Sequence, residues 1–180
     1  MEIKLYNTLP AHSNISKNVR DNIHYIDSFK VKIKNKENYS IDFLTAKFFN
    51  SSPIWAKYLL GLRNYLVKVF GLKTDSIPNR MAIDKSIRYD PGDRAVCFQV
   101  IDRSDSEIVM AEDDKHLYFR FSILIRKNRD SDLSTIFFTT IVQFHNIWGR
   151  IYFMPVKPFH KLIIKNYIIN LRKALAAGCK

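Results

Sequence analysis

The sequence predicts an α+β domain in which an antiparallel sheet with one apolar face is covered by a long C-terminal helix. Three observations predict it. An early stretch beginning at Ile23 alternates apolar and polar residues. A run of period-two segments separated by polar turns fills the region from Val96 to Phe144. A final segment from Pro158 to about Ala176 carries apolar residues at helical spacing. Period two marks strands with one buried side, and i, i+3/i+4 spacing marks an amphipathic helix. A sheet with one apolar face must cover it, and the last helix is the available lid.

Along the chain, residues 1–21 read as a loose arm. In the first strand Ile23, Tyr25, Asp27, Phe29, Val31 and Ile33 share one face, while Lys30, Lys32 and Lys34 lie on the other. Such a lysine row suits an edge or solvent face protected against strand addition. Ser40 is placed to cap a short helix through Phe49. Ser52-Pro53 then opens a second helix with Trp55, Leu59, Leu62, Leu66 and Val69 at helical spacing and Gly71 as its stop. Residues 72–94, with Pro78 and the Asp90-Pro91-Gly92-Asp93 turn, read as a connection.

Four strands follow, at Val96–Asp102, Glu107–Ala111, His116–Arg126 and Ser134–Phe144. Local connectivity makes them adjacent and antiparallel. In the third, Leu117, Phe119, Phe121, Ile123 and Ile125 form the apolar face and His116, Tyr118 and Arg120 a surface patch opposite. The terminal helix is phased on Phe159, Leu162, Ile163, Tyr167, Leu171 and Leu175, with Gly149, Pro155 and Pro158 breaking or kinking its start.

Composition fits one globular domain: 180 residues, 47% hydrophobic and 13% aromatic. No apolar run opens the chain and no stretch of about 18 apolar residues crosses a bilayer, so a cytoplasmic protein is expected. Cys97 and Cys179 are expected to be free thiols. The net charge of +12 favours anionic partners, but the lysines are dispersed rather than clustered as in a nucleic-acid binder. Nucleic acid is therefore not an expected partner, and contact with an anionic membrane surface is secondary.

Taken together, the segments Tyr25-Ile26-Asp27-Ser28-Phe29, Phe48-Phe49, Pro53-Ile54-Trp55, Leu62-Arg63-Asn64, Gly71-Leu72-Lys73, Glu112 to Arg120, His145-Asn146, Gly149-Arg150-Ile151-Tyr152 and Val156-Lys157-Pro158-Phe159-His160 resemble a bacterial family of proteins of unknown function, number 2867 in the usual naming. The resemblance runs from about Tyr25 to Asn170. It implies a helix-grip fold of the START-like (SRPBCC) superfamily, a curved antiparallel sheet wrapped around a long C-terminal helix, with two short helices after the first strand and often a ligand cavity between sheet and helix. The domain would occupy residues 22–176, between the arm and a tail at 177–180. Related domains follow a Rossmann reductase domain, but the five glycines here form no G-x-G-x-x-G. The family has no established reaction, so the resemblance assigns no catalytic residue and no cofactor.

Asp27 stands out, because a carboxylate on an inner face must be paired, hydrogen-bonded or protonated. It reads either as a polar anchor or general base in an apolar cavity, or as half of a structural pair with an arginine such as Arg63. Glu112-Asp113-Asp114 with His116 matches no metal-site spacing and reads as a charged turn. His145, Arg150, Tyr152 and His160 gather at the elbow before the last helix. There they read either as a polar gate or as partners for the backbone groups of a broken helix start. The expected ligand is an apolar or amphipathic small molecule, held by Tyr25, Asp27, Phe29, Arg63, Phe119, Phe121, His145, Arg150, Tyr152, His160 and Leu162. Acid/base catalysis by Asp27 or His145 in that cavity is the alternative, and a basic surface module for membrane or nucleic acid is another. A filled core acting through its surface is the remaining one.

Overall fold

A computed structural model describes residues 2–17, 19, 22–35, 37–53, 55, 88–95, 98–128 and 131–177. The second expected helix, Arg63, most of the connection before the meander, Cys97 and Cys179 lie outside these residues. The described strands are β1 (Lys4–Tyr6), β2 (Tyr25–Lys34), β3 (Arg94–Ala95), β4 (Phe98–Arg103), β5 (Glu107–Asp113), β6 (Leu117–Lys127) and β7 (Leu133–Phe144). They form one curved antiparallel sheet in the order β1-β2-β7-β6-β5-β4-β3. Two α-helices are described, α1 (Ile41–Asn50) and α2 (Ile147–Ala177). A sheet gripping a long terminal helix is the helix-grip arrangement the sequence pointed to.

The strand phases follow the alternation. Phe29, Val31 and Ile33 of β2 face Phe138 and Ile136 of β7 and Phe121, Ile123 and Ile125 of β6 in one inner core. Ser40 caps α1 by accepting from the Phe43 amide at 3.1 Å. Asp42 then accepts two bonds from the Arg103 guanidinium, at 3.0 and 3.2 Å, and one from the Tyr89 amide at 2.9 Å. That fork ties α1 to β4 and sets Phe48 into the middle of the grip, where it stacks on Phe138 (4.8 Å), Tyr167 (4.9 Å) and Phe121 (5.5 Å). Aromatic rings at these separations interlock as a solid core.

The N-terminal arm is not loose. β1 pairs with β2 through Lys4↔Lys30 and Tyr6↔Ser28, so β2 is no edge strand and its lysine row does not guard one. Ser13 caps a 3-10 turn (Asn14–Ser16) that packs Ile15 against Val109 and Ile141 on the outer face of the sheet. The even-numbered face of β6 is therefore partly covered, and Arg120 and His116 are buried rather than forming a surface patch. Arg120 donates from Nη1 to the Ile15 and Lys17 carbonyls at 3.0 and 2.6 Å. Buried Glu107 accepts from the Ser13 hydroxyl and the Asn14 amide at 2.5 and 2.6 Å. Each buried charge is satisfied by the arm, as burial requires.

The terminal helix differs from its expected form. It begins at Ile147 and runs through Gly149, Pro155 and Pro158 without a break. The carbonyls that the prolines deprive of donors, four residues back, belong to Ile151 and Met154. Both residues are exposed, so water can serve those oxygens. Its sheet-facing stripe is Phe153, Ile164, Ile168, Leu171 and Leu175, whereas Phe159 and Leu162 are about half exposed. Gly149 sits so close to the β5–β6 turn that an added Cβ would lie 2.2 Å from the His116 carbonyl oxygen. Because that neighbour is backbone, Gly149→Ala should lower stability by about 1–3 kcal/mol, read by denaturant unfolding. Glu107→Ala should cost a similar ~1–3 kcal/mol by stranding two donors, and should raise amide exchange selectively at residues 13–17.

Candidate functional site

Two neighbouring rows of the inner face build the site. Tyr25 and Asp27 are two apart on β2, so both point inward. Thr140 lies directly across from Asp27 on β7, and Phe119 of β6 shares the next row with Val142 and Tyr25. α2 lowers His160 onto these rows, one helical step before Ile164 in the sheet-facing stripe. The result is a polar cluster inside an aromatic shell. The Tyr25 hydroxyl donates to Asp27 Oδ2 at 2.6 Å, His160 Nε2 lies 3.5 Å from the same oxygen, and 3.1 Å separates it from Thr140 Oγ1. Phe153 packs edge-on to Tyr25 at 4.9 Å and Phe119 edge-on to His160 at 5.9 Å, with Phe98 stacked on Phe119 at 5.4 Å.

Asp27 has no solvent exposure, and among the described residues its Oδ1 has no hydrogen-bond partner. Burial pushes its carboxyl pKa up. The hydrogen bond and positive charge of His160, with smaller help from Tyr25 and Thr140, more than offset this and hold it below the ordinary value. Tyr25 moves the other way: burial first, and then the adjacent carboxylate, push its phenol well above the ordinary value. The pair thus keeps tyrosine as a neutral donor and aspartate as an anion, each reinforcing the other. His160 is only 12% exposed, and its Nδ1 has no hydrogen-bond partner among the described residues.

Of the expected site residues, Tyr25, Asp27, Phe119 and His160 come together. Phe29 and Phe121 are buried in the central core, where Phe48 stacks on Phe121. Leu162 is half exposed on the helix, away from the buried stripe that meets the sheet. Arg63 lies outside the described residues, and the basic side chain beside Asp27 is His160. His145 is on the surface, 2.7 Å from Asp113. Arg150 is exposed, 6.0 Å over the Phe144 ring, and Tyr152 is half-buried near it on the helix.

The elbow around them is a joint. Asn146 accepts from the Gly149 amide at 3.2 Å, which caps α2, and it also contacts His116 Nδ1. The acidic run is dispersed too: Glu112 reaches Arg94, Asp113 reaches His145, and Asp114 turns back on the Lys115 amide. Among the described residues no group of histidine, cysteine and acidic side chains is placed to hold a metal.

Thr140 and Phe153 were missed. The register opposite Asp27 would have pointed to Thr140, and extending the helical stripe back from Ile164 would have pointed to Phe153. Among the described residues two shallow clefts open on the outer face. One, of about 340 Å³, is lined by Lys30, Lys32, Arg126 and Lys127, and the other, of about 250 Å³, lies under the arm.

The site motif and the segments around it fall within residues 20–167, which match the family model described as "Protein of unknown function (DUF2867)". The chain belongs to that family. Comparison with curated proteins finds no match, and comparison with solved structures finds none. No helix among the described residues is long and apolar enough to cross a membrane.

The low pKa of Asp27 carries a signed prediction. A group whose folded pKa lies below its unfolded value of about 3.9 adds stability above that pH and loses it as pH falls through the folded pKa. Wild-type unfolding free energy should therefore drop more steeply below about pH 4 than that of Asp27→Asn, by up to ~1.4 kcal/mol per pH unit. Parallel pH profiles would show that Asp27 is not held ionised.

Proposed function

We propose that this domain binds an apolar or amphipathic small molecule beside His160, between the β4–β6 side of the sheet and the N-terminal half of α2. The observation that carries this reading is the buried Asp27, whose Oδ1 has no hydrogen-bond partner among the described residues, set behind His160 in an aromatic shell. A core built only for stability gains little from such a group, since apolar residues of similar volume often serve as well. Half-buried Phe98 and Phe119 lead from His160 outward and would hold the apolar body of a ligand, with His160 fixing its polar end. The resemblance to the START-like superfamily, in which the space between sheet and helix often takes a ligand, supports the same placement. The net positive charge of the chain and Lys157, 5.2 Å over the Tyr25 ring, favour an anionic head group.

A second reading is acid/base chemistry at the same place. Asp27 behind His160 Nε2 would orient the imidazole, leaving Nδ1 to exchange a proton with a substrate. Binding and chemistry share these residues but differ in pH dependence.

Native mass spectrometry of freshly purified protein tests the binding reading. A retained small molecule in the wild type, lost in His160→Ala, is the expected result. Titration with 8-anilinonaphthalene-1-sulfonate, an apolar anion, should show affinity lowered by about ten- to a hundredfold in His160→Ala, the weight of a charged hydrogen bond. Equal binding by wild type and His160→Ala would remove His160 from the site.

A further inference from the structure

α2 has two apolar stripes, and only one is used by the sheet. The other runs along the solvent side of its first half: Trp148, Ile151, Phe159 and Leu162, with the rings of Pro155 and Pro158 between them and Met154 at the margin. Trp148 is 51% exposed, Met154 74% and Leu162 50%. From Trp148 to Leu162 the stripe extends about 21 Å at 1.5 Å per residue. Isolated exposed apolar residues need no account, but a contiguous row of large ones marks an interaction surface.

We propose that this stripe docks α2 onto the surface of an anionic lipid bilayer. Charge decides the partner. α2 contains no aspartate or glutamate and six basic residues, Arg150, Lys157, Lys161, Lys165, Arg172 and Lys173. Arg150 and Lys157 lie on the sheet side of the helix, over the Phe144 and Tyr25 rings, and Lys161 and Lys165 flank the stripe along one side. Pairing with a second copy through the same stripe would bring these like charges together, whereas a layer of anionic head groups neutralises them. An apolar row containing tryptophan beside a basic face is the pattern of a helix lying in the interface plane. The helix is already folded against the sheet, so docking orders no new backbone. The carbonyls freed by Pro155 and Pro158 keep the insertion at head-group depth, where water still reaches them. This surface faces away from the Asp27–His160 cluster and does not depend on that cluster binding a ligand.

The test follows Trp148 fluorescence in a Trp55→Phe background, which leaves Trp148 as the sole tryptophan. Vesicles of equal parts phosphatidylcholine and phosphatidylglycerol should shift its emission to the blue at about 0.15 M salt, and phosphatidylcholine vesicles should not. The pair Met154→Glu and Leu162→Glu, both at exposed positions, should lower partitioning at least about tenfold while leaving the circular dichroism unchanged. Lys161→Glu with Lys165→Glu should weaken it as well. The proposal is overturned if the anionic vesicles give no shift, or if the two glutamates leave the shift intact. It is equally overturned if Trp148 is shielded from acrylamide before any lipid is added. Light scattering that shows a dimer dissolved by the same two glutamates would assign the stripe to a second copy instead.

Discussion

The seating of α2 on the inner face of the sheet is the contact on which the other features depend. Two short approaches fix it. At its N-terminal end Gly149 lies against the His116 carbonyl, a distance that only a residue without Cβ can hold. Farther along, His160 meets Asp27 and Thr140 among the rings of Tyr25, Phe119 and Phe153. Between and beyond these points the helix buries Ile164, Ile168, Leu171 and Leu175, which supplies the apolar weight. The polar contact adds little net energy of its own. It selects one rotation of the helix, because any other would leave a buried carboxylate without its histidine partner.

The outer face shows the same economy in reverse. Sheets with one apolar face usually leave the other wet. Here Arg120 and Glu107 lie on that face, and the arm covers them by offering backbone carbonyls to the arginine and a hydroxyl and an amide to the glutamate. The buried charges do not pair with each other. Arg120 donates to, and Glu107 accepts from, a segment far away in sequence, which ties the arm to the sheet.

Much of the fold is legible in the residues themselves. Alternation in β2, β6 and β7 sets which side chains face inward, and a slip by one residue would expose Phe29, Phe121 and Phe138 together. Asp27 stands out for that reason: it occupies an apolar phase. Its partner is another matter. Arg63 and His160 are both basic residues at a distance in sequence, and nothing local distinguishes them. The site is half readable in the same way, since Tyr25, Asp27 and Phe119 follow from strand phase, whereas Thr140 needs the register and His160 needs the rotation of a helix.

By itself the sequence determined the α+β class, the strand phases, the Ser40 cap and the inward place of Asp27, because each depends on periodicity or on neighbours within a few residues. Only the tertiary structure decided which of two apolar stripes on α2 meets the sheet, that the helix continues through two prolines, and that the arm closes the outer face. Those outcomes rest on contacts between residues far apart in the chain, such as Gly149 with His116 and Arg120 with Ile15. A helix that is apolar on both sides offers two seatings of similar local merit. The choice between them is made by the shape of the sheet and by the carboxylate buried on its inner face.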